Sequence, residues 1–300
     1  MSDKREIKVN KNPYRNKKFT RVVKDFEKQG LKQLSLEDEL DKLISSEAGE
    51  YFRQKNIELD KSKIVSRGIH GISHSNRVAI LAMLIGQREG TFENDIDNRI
   101  KDILLSSAYY HDIGRKKGPI VVSSGPHAKS SARKVNKMNL AFLDGKQYSE
   151  EEKRMVQAIV EAHEGRDEDM DAICKKYKIS DSNIKITKEL MTIIKDADAL
   201  DRARLDFGLP LTKPDLNPDF LRTNSAKELI NVAYELEALS KSASMEEIID
   251  SRVSKTKTDE IETFAGIFEK VKIDNYKLYN EKYQREGKID FRKSFYRYFK

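Results

Sequence analysis

The 300-residue chain predicts an all-α protein, a bundle of helices. Three observations carry that expectation. Apolar residues recur at three- and four-residue spacing in several segments. Helix-opening signals precede several of them. No alternation of period two persists, and there is no internal repeat.

Residues 1–32 hold Asn10, Asn12, Pro13 and Asn16 among lysines, with little periodicity before Phe19, and read as largely irregular. Ser35 is placed to cap a helix over 36–44. Its first turn carries acids, which the positive end of the helix dipole favours. A short helix over 47–56 follows. After Gly68 and Gly71 comes a helix over 73–87, with Val78, Ile80, Leu81, Leu84 and Ile85 on one face. His74 lies one turn before Val78, at the edge of that face, and Gly90 ends the helix.

The next helix is predicted over 94–112. Its apolar run, Ile103-Leu104-Leu105-Ser106-Ser107-Ala108-Tyr109-Tyr110, ends in His111-Asp112, with Gly114 expected as the C-terminal cap residue. Gly118, Pro119, Gly125 and Pro126 make a loop. Pro126 suits a first-turn position, so a helix is expected from His127 to about Leu140. Ser149-Glu150-Glu151-Glu152 forms a capping box for a helix ending at His163. Val156, Ile159 and Val160 share the inner face of that histidine, and Gly165 closes the helix. A polar segment, 166–184, leads to an apolar helix over 186–201 that runs into Asp196, Asp198 and Asp201. Beyond the loop marked by Gly208, Pro210, Pro214 and Pro218, Ser225-Ala226-Lys227-Glu228 predicts a second capping box and a helix to about Leu239. The C-terminus is aromatic and basic, with Phe291, Phe295, Tyr296, Tyr298 and Phe299.

Composition narrows the class. Apolar content of 38% and charged content of 36% suit a soluble, helix-rich domain. No apolar run is long enough to span a membrane, and the first residues lack the apolar stretch of a secretory signal. Cys174 is the only cysteine, which excludes an internal disulfide. The expected location is the cytoplasm. Residues 1–32 hold 11 Lys/Arg against 4 acids, a net +7 equal to that of the whole chain, so the rest is balanced. Such an arm can meet nucleic acid or another anionic surface, or simply be solvated.

All five histidines lie between positions 70 and 163. His74, His111, His127 and His163 fall at helix ends or on apolar faces of four different predicted helices, and Asp112 and Asp198 are placed likewise. Imidazole and carboxylate are common ligands of transition metals, and a bundle can aim them at one point from several helices. A buried carboxylate is costly alone, and a dication removes that cost. Taken singly, each histidine also suits a hydrogen-bonded core position, and Asp198 an ordinary ion pair. His70, one turn before His74, is a candidate for the pocket wall or for the surface.

The order His…His-Asp…His…His…Asp resembles the HD superfamily of metal-dependent phosphohydrolases. The matching stretches are His74-Ser75-Asn76-Arg77-Val78, His111-Asp112-Ile113-Gly114-Arg115, His127-Ala128-Lys129-Ser130-Ser131-Ala132, Ala158-Ile159-Val160-Glu161-Ala162-His163 and Ala197-Asp198-Ala199-Leu200-Asp201. Together they cover about residues 68–206. The resemblance implies an all-α HD-domain bundle with a central metal site. It makes His74, His111, Asp112 and Asp198 ligands of a first divalent ion. His127 and His163 match the positions that hold a second ion, with Asp112 bridging. Asp196 rivals Asp198 for the last position, although the family pattern favours Asp198. The implied metal is Mn, Fe, Mg, Co or Ni, as one ion or two. The chain then divides into a basic leader with short helices (1–60), the HD phosphohydrolase domain (61–245) and a helical aromatic and basic extension (246–300).

The implied activity is hydrolysis of a phosphate ester or anhydride in a nucleotide or another phosphorylated small molecule. A bound divalent ion lowers the pKa of water from about 15.7 towards about 7 and so supplies the attacking hydroxide. Arg115 follows the ligand pair where similar enzymes place a phosphate-binding cation. Arg77 and Lys195 are further candidates, with an ion pair to Asp112, Asp196 or Asp198 as the alternative use of each. No doubled histidine with Gly-Tyr-Pro follows His163, as in cyclic-di-GMP enzymes of the HD-GYP type. No Glu-Asp pair follows His111-Asp112, as in alarmone hydrolases. The diadenosine-tetraphosphate hydrolase group is closer in layout but several of its local signatures are missing, so subfamily does not assign the substrate. The alternatives are a nuclease that holds a single strand with the basic leader and aromatic tail, and a non-catalytic nucleotide-binding module.

Overall fold

The computed structural model describes residues 24–46, 49, 51–52, 54–55, 72–95, 98–115, 127–205 and 216–240. Most of the basic leader, His70, residues 116–126 and 206–215 and the expected extension over 246–300 lie outside them. Nine α-helices are described: α1 Leu36–Ile44, α2 Ile72–Arg88, α3 Arg99–Tyr110, α4 Ala128–Val135, α5 Glu150–Ala162, α6 Met170–Lys176, α7 Asp181–Asp201, α8 Asn224–Glu228 and α9 Ile230–Ser240. Among the described residues there is no strand, only an isolated bridge between Ala141 and Gln147. No described helix is long and apolar enough to cross a membrane.

The architecture follows from α2. From Val78 to Ile85 it carries no polar side chain, and every residue of that run is buried. A helix that is apolar all round must be enclosed on all sides. Accordingly α2 packs against α3 and α7, with α1 and α9 on its remaining flank. Helix α5 lies against α3 and α7 and carries α4 outside it. The site-bearing ends of these helices therefore meet within one hydrophobic core.

Several helix starts match the capping chemistry. Ser35 accepts a hydrogen bond from the Asp38 amide at the start of α1. Ser149 and Glu152 form a reciprocal capping box on α5. Other starts differ from expectation. Helix α3 begins at Arg99 rather than at 94, because residues 91–94 form a turn. Asn98 there has φ +59° and makes no side-chain cap. Asp95 does the capping instead, its carboxylate accepting from the amides of Ile100 and Lys101 at 2.8 Å each. Helix α4 stops at Val135 instead of running to Leu140, and the chain turns at 136–138 into the Ala141–Gln147 bridge. Thr223, not Ser225, caps α8, and a break at Leu229 separates it from α9. The polar segment 166–184 contains α6, which buries only Met170, Ile173 and Cys174 and so shows a thin apolar stripe in sequence.

A buried polar cluster fixes α3 along its length. Asp102 accepts from the hydroxyls of Tyr51 and Tyr148 and pairs with Lys55 at 3.3 Å. Lys55 also donates to the Ala141 carbonyl at 2.7 Å. The helix that ends at His111 is thereby pinned to the helical residues Tyr51 and Lys55 and to the 141–148 segment.

Candidate metal centre

His111 is the C-terminal cap residue of α3, and His163 holds the same position on α5. At both ends the imidazole Nδ1 faces a carbonyl of its own last turn: Ala108 O at 2.6 Å for His111 and Val160 O at 2.7 Å for His163. A carbonyl only accepts, so in the neutral ring the proton sits on Nδ1 and the Nε2 lone pair points into the site. His74, in the first turn of α2, directs Nδ1 to Asp201 at 2.6 Å. His127, just ahead of α4, directs Nδ1 to Glu164 at 2.6 Å. All four rings are thus oriented by a partner on Nδ1 and present Nε2 inward, the arrangement metal-ligating histidines show.

The four rings form a row, His74, His111, His163, His127, with neighbouring centroids 4.9, 5.1 and 5.0 Å apart. Nε2 of His74 lies 2.9 Å from Nε2 of His111, and Nε2 of His127 lies 3.1 Å from Nε2 of His163. Lone pairs facing at that distance need a cation between them. Burial pushes the pKa of His111 down to about 4, against the opposing pull of Asp112 and Asp198, so a proton on that ring is a poor substitute at neutral pH. A divalent ion fits this donor set.

Asp112 stands between the two pairs. It belongs to two buried three-residue groups that could hold an ion, one with His74 and His111 and one with His127 and His163. Its Oδ2 is 3.5 Å from His74 Nε2, and its Oδ1 is 2.7 Å from His127 Nε2 and 3.6 Å from His163 Nε2. Asp198, with its side chain 28% exposed, brings Oδ1 to 3.4 Å from His74 and 3.8 Å from His111. The structure therefore gathers all six expected ligand positions in one place.

Gly114 explains how Asp112 reaches His127, and it does so differently from expectation. It does not have the left-handed backbone of a cap residue. It is small because a Cβ there would lie 2.2 Å from Ser131 N and 2.7 Å from His127 O. The turn after α3 thus lies directly on the first turn of α4, where the Gly114 amide donates to Ser131 Oγ at 2.8 Å.

Three of the expected cations and acids are placed otherwise. Arg77 is buried and held by Asp201, at 2.5 Å from Nε, and by Glu237, at 3.0 Å from Nη1. Lys195 is spent on Asp167 at 2.9 Å and on the carbonyls of Ala162 and Gly165, so it braces the α5 end behind His163. Both are committed to these ion pairs. Asp196, the rival for the last ligand position, instead accepts from the amides of Arg222 and Thr223 and from Thr223 Oγ1, which places it away from the histidines. Arg115 is the exception. Its Nε holds Asp112 Oδ2 at 2.6 Å, and its side chain keeps 21% exposure.

Two functional residues are not singled out by sequence reasoning: Asp201 and Glu164. Each orients a histidine. Glu164 also accepts from the Ala128 amide at 2.9 Å, tying the start of α4 to the end of α5. The available signal is position alone: an acid directly after His163, and an acid one turn beyond Asp198.

No curated protein and no solved structure shows significant similarity to the chain. The family model of the HD domain matches residues 71–203, a span that holds the six candidate ligands and both histidine-orienting acids. Over residues 71–203 the chain thus carries an HD domain, that of the metal-dependent phosphohydrolase superfamily.

Proposed function

We propose that the protein hydrolyses a phosphate ester or anhydride of a nucleotide at this cluster, with His74, His111, Asp112 and Asp198 holding one divalent ion and Asp112, His127 and His163 a second. The observation that carries the reading is the pair of facing Nε2 contacts, 2.9 and 3.1 Å, on rings whose Nδ1 atoms are already committed. Kinship with HD phosphohydrolases supports the nucleotide class. Four imidazoles against two carboxylates favour Fe, Co or Ni over Mg, whose usual partners are oxygens. A divalent ion supplies a Lewis acid for a phosphoryl oxygen and a water acidified towards neutrality.

The chain's own groups do the rest. Asp112 sets Oδ2 beside His74 and Oδ1 within 3.8 Å of His111, His127 and His163, so it faces both pairs. Arg115 neutralises that carboxylate through Nε and keeps the outer edge of its guanidinium for phosphate oxygens. Asp198, Glu164 and Arg115 are the partly exposed members of the cluster, with side chains 28, 35 and 21% accessible, so a phosphate approaches along that edge. The apolar core behind the row excludes bulk water from the opposite side.

The test is a screen of cyclic dinucleotides, dNTPs, dinucleoside polyphosphates and short RNA with metal-loaded full-length protein. At least one class is expected to be hydrolysed, with turnover abolished by chelator and lowered about a thousandfold or more in His111→Ala. Turnover unchanged in His111→Ala overturns the proposal, as does binding of nucleotides without turnover of any. Hydrolysis of RNA alone would shift it to the nuclease reading.

A further inference from the structure

His74 is the one candidate ligand whose orienting group is itself held by a chain of buried charges that leaves the family segment. His74 Nδ1 contacts Asp201 Oδ2 at 2.6 Å. Asp201 is gripped by Arg77 through Nε at 2.5 Å and Nη2 at 3.2 Å. Arg77 Nη1 then reaches Glu237 Oε2 at 3.0 Å and Ser240 Oγ at 2.9 Å. His74, Arg77, Asp201 and Glu237 are all at least nine-tenths buried. Glu237 and Ser240 lie on α9, more than thirty residues past the end of the HD match at 203.

The geometry of Arg77 shows why both ends matter. A guanidinium is a planar fork whose donors are fixed relative to one another. Two of them are set by the Asp201 carboxylate, which fixes the plane, and Nη1 donates to Ser240 Oγ with the charge of Glu237 Oε2 beside it at 3.0 Å. Burial works against the charge on Arg77, but Asp201 and Glu237 more than restore it and raise its pKa. Without Glu237 the fork loses one of two anchoring carboxylates in a site with little water to replace it. Asp201 would then be held less firmly, and so would the ring of His74.

We infer that Glu237 is a positioning residue for the metal centre: through Arg77 and Asp201 it sets the ring of His74, so the docking of α9 tunes the affinity of the His74–His111 position and leaves the His127–His163 position alone. The inference rests on the metal reading of the cluster. It extends the functional unit beyond the family segment, because the last helix becomes part of what holds the ion. Residues that orient metal ligands typically contribute ten- to a hundredfold in affinity. Glu237 acts two residues removed, so about tenfold is expected.

The experiment titrates Mn into metal-stripped full-length protein, wild type and Glu237→Gln, and fits two binding events by calorimetry. Histidine side-chain nitrogen NMR of the metal-stripped proteins, before Mn is added, follows the Nδ1–H signals. Glu237→Gln is expected to weaken one binding event about tenfold, to leave the other within twofold, and to move the Nδ1–H resonance of a single histidine. Arg77→Lys, which keeps the charge but cannot serve both carboxylates at once, is expected to give the same pattern. Should Glu237→Gln lose helical content, Arg77→Lys carries the test. Unchanged affinities in the folded variant overturn the inference, and so does an equal loss at both positions, which is the mark of general loosening. Wild-type protein that takes up no metal would instead overturn the metal reading itself, so the two failures are distinguishable.

Discussion

The two histidine pairs face the same carboxylate and are assembled by the same rule, yet they are anchored differently. Each pair joins one ring from a helix C-terminus, fixed by a backbone carbonyl, to one ring fixed by a carboxylate: His111 with His74, and His163 with His127. The carboxylate behind His74 is Asp201, almost wholly buried and paired with Arg77. The one behind His127 is Glu164, with a side chain 35% exposed and its second oxygen on a backbone amide. The first pair also has Asp198 within 3.8 Å of both rings, whereas the second has Asp112 as its acid. The orienting carboxylate of the first position is therefore enclosed and that of the second lies open, and the first position offers four ligands where the second offers three. On the proposed reading, the first holds its ion firmly and the second exchanges it more readily.

Removing Asp112 should erase the comparison altogether, because it is the residue both positions share. In Asp112→Ala, bound metal after dialysis is expected to fall from about two ions per chain to well below one, and turnover to drop at least a thousandfold, since metal stabilisation of the transition state amounts to several kcal/mol. Elemental analysis of the dialysed protein measures the first and a phosphate-release assay the second. A variant that still retained two ions would mean that the pairs do not depend on a common bridge.

Protons separate the two pairs in the metal-free protein. Burial holds His111 at about 4, below its unfolded value of 6.5. Between those values the unfolded chain takes up a proton that the folded chain refuses, so stability falls as pH is lowered from about 6.5 to 4. The loss attributable to His111 approaches about 3 kcal/mol. His127 runs the other way. Burial lowers its pKa, but hydrogen bonds to Asp112 and Glu164 outweigh that and raise it. Its contribution to stability is fully present below 6.5 and disappears as pH rises through the folded value. Denaturant titrations of stripped protein across pH 4–8 are expected to show the acid-side loss in the wild type and a flattened slope in His111→Gln. An unaltered slope in that variant would place the acid sensitivity elsewhere.

How legible this was differs along the chain for physical reasons. The six candidate ligand positions were visible because their polar side chains fall at helix ends or on apolar helix faces, and α1, α2, α5 and α7 were visible from periodicity and capping. What failed was local. Asp95 caps α3 from five and six residues away, outside the spacing of an ordinary N-cap. Gly114 follows a helix end, which suggests a left-handed cap, yet its backbone is ordinary and its smallness serves a contact with α4, seventeen residues later. Arg77 and Lys195 sit within one turn of ligands, which says nothing of which way they point. Their partners, Glu237 and Asp167, are distant in sequence, and only the packing of α9 and of the turn at 167–169 against the bundle brings them near.

The smallest expected effect is also the most selective. Glu164→Gln keeps the shape of the side chain but leaves a single oxygen where two now accept, one from His127 Nδ1–H and one from the Ala128 amide. With that oxygen on the Nδ1 proton the ring keeps its orientation and the Ala128 amide turns to water, while Nε2 loses the basicity that a carboxylate behind the ring confers. Affinity at the His127–His163 position should fall about tenfold and the His74–His111 position should stay within twofold, as read by two-event calorimetry with Mn. Because Glu164 is partly exposed, water can fill around the substituted amide, and the melting temperature is expected to change little. A tenfold loss at both positions would show that the halves are coupled through Asp112 strongly enough that no orienting residue acts on one alone, and the distinction between an enclosed and an open orienting carboxylate would then describe the protein's shape but not its metal chemistry.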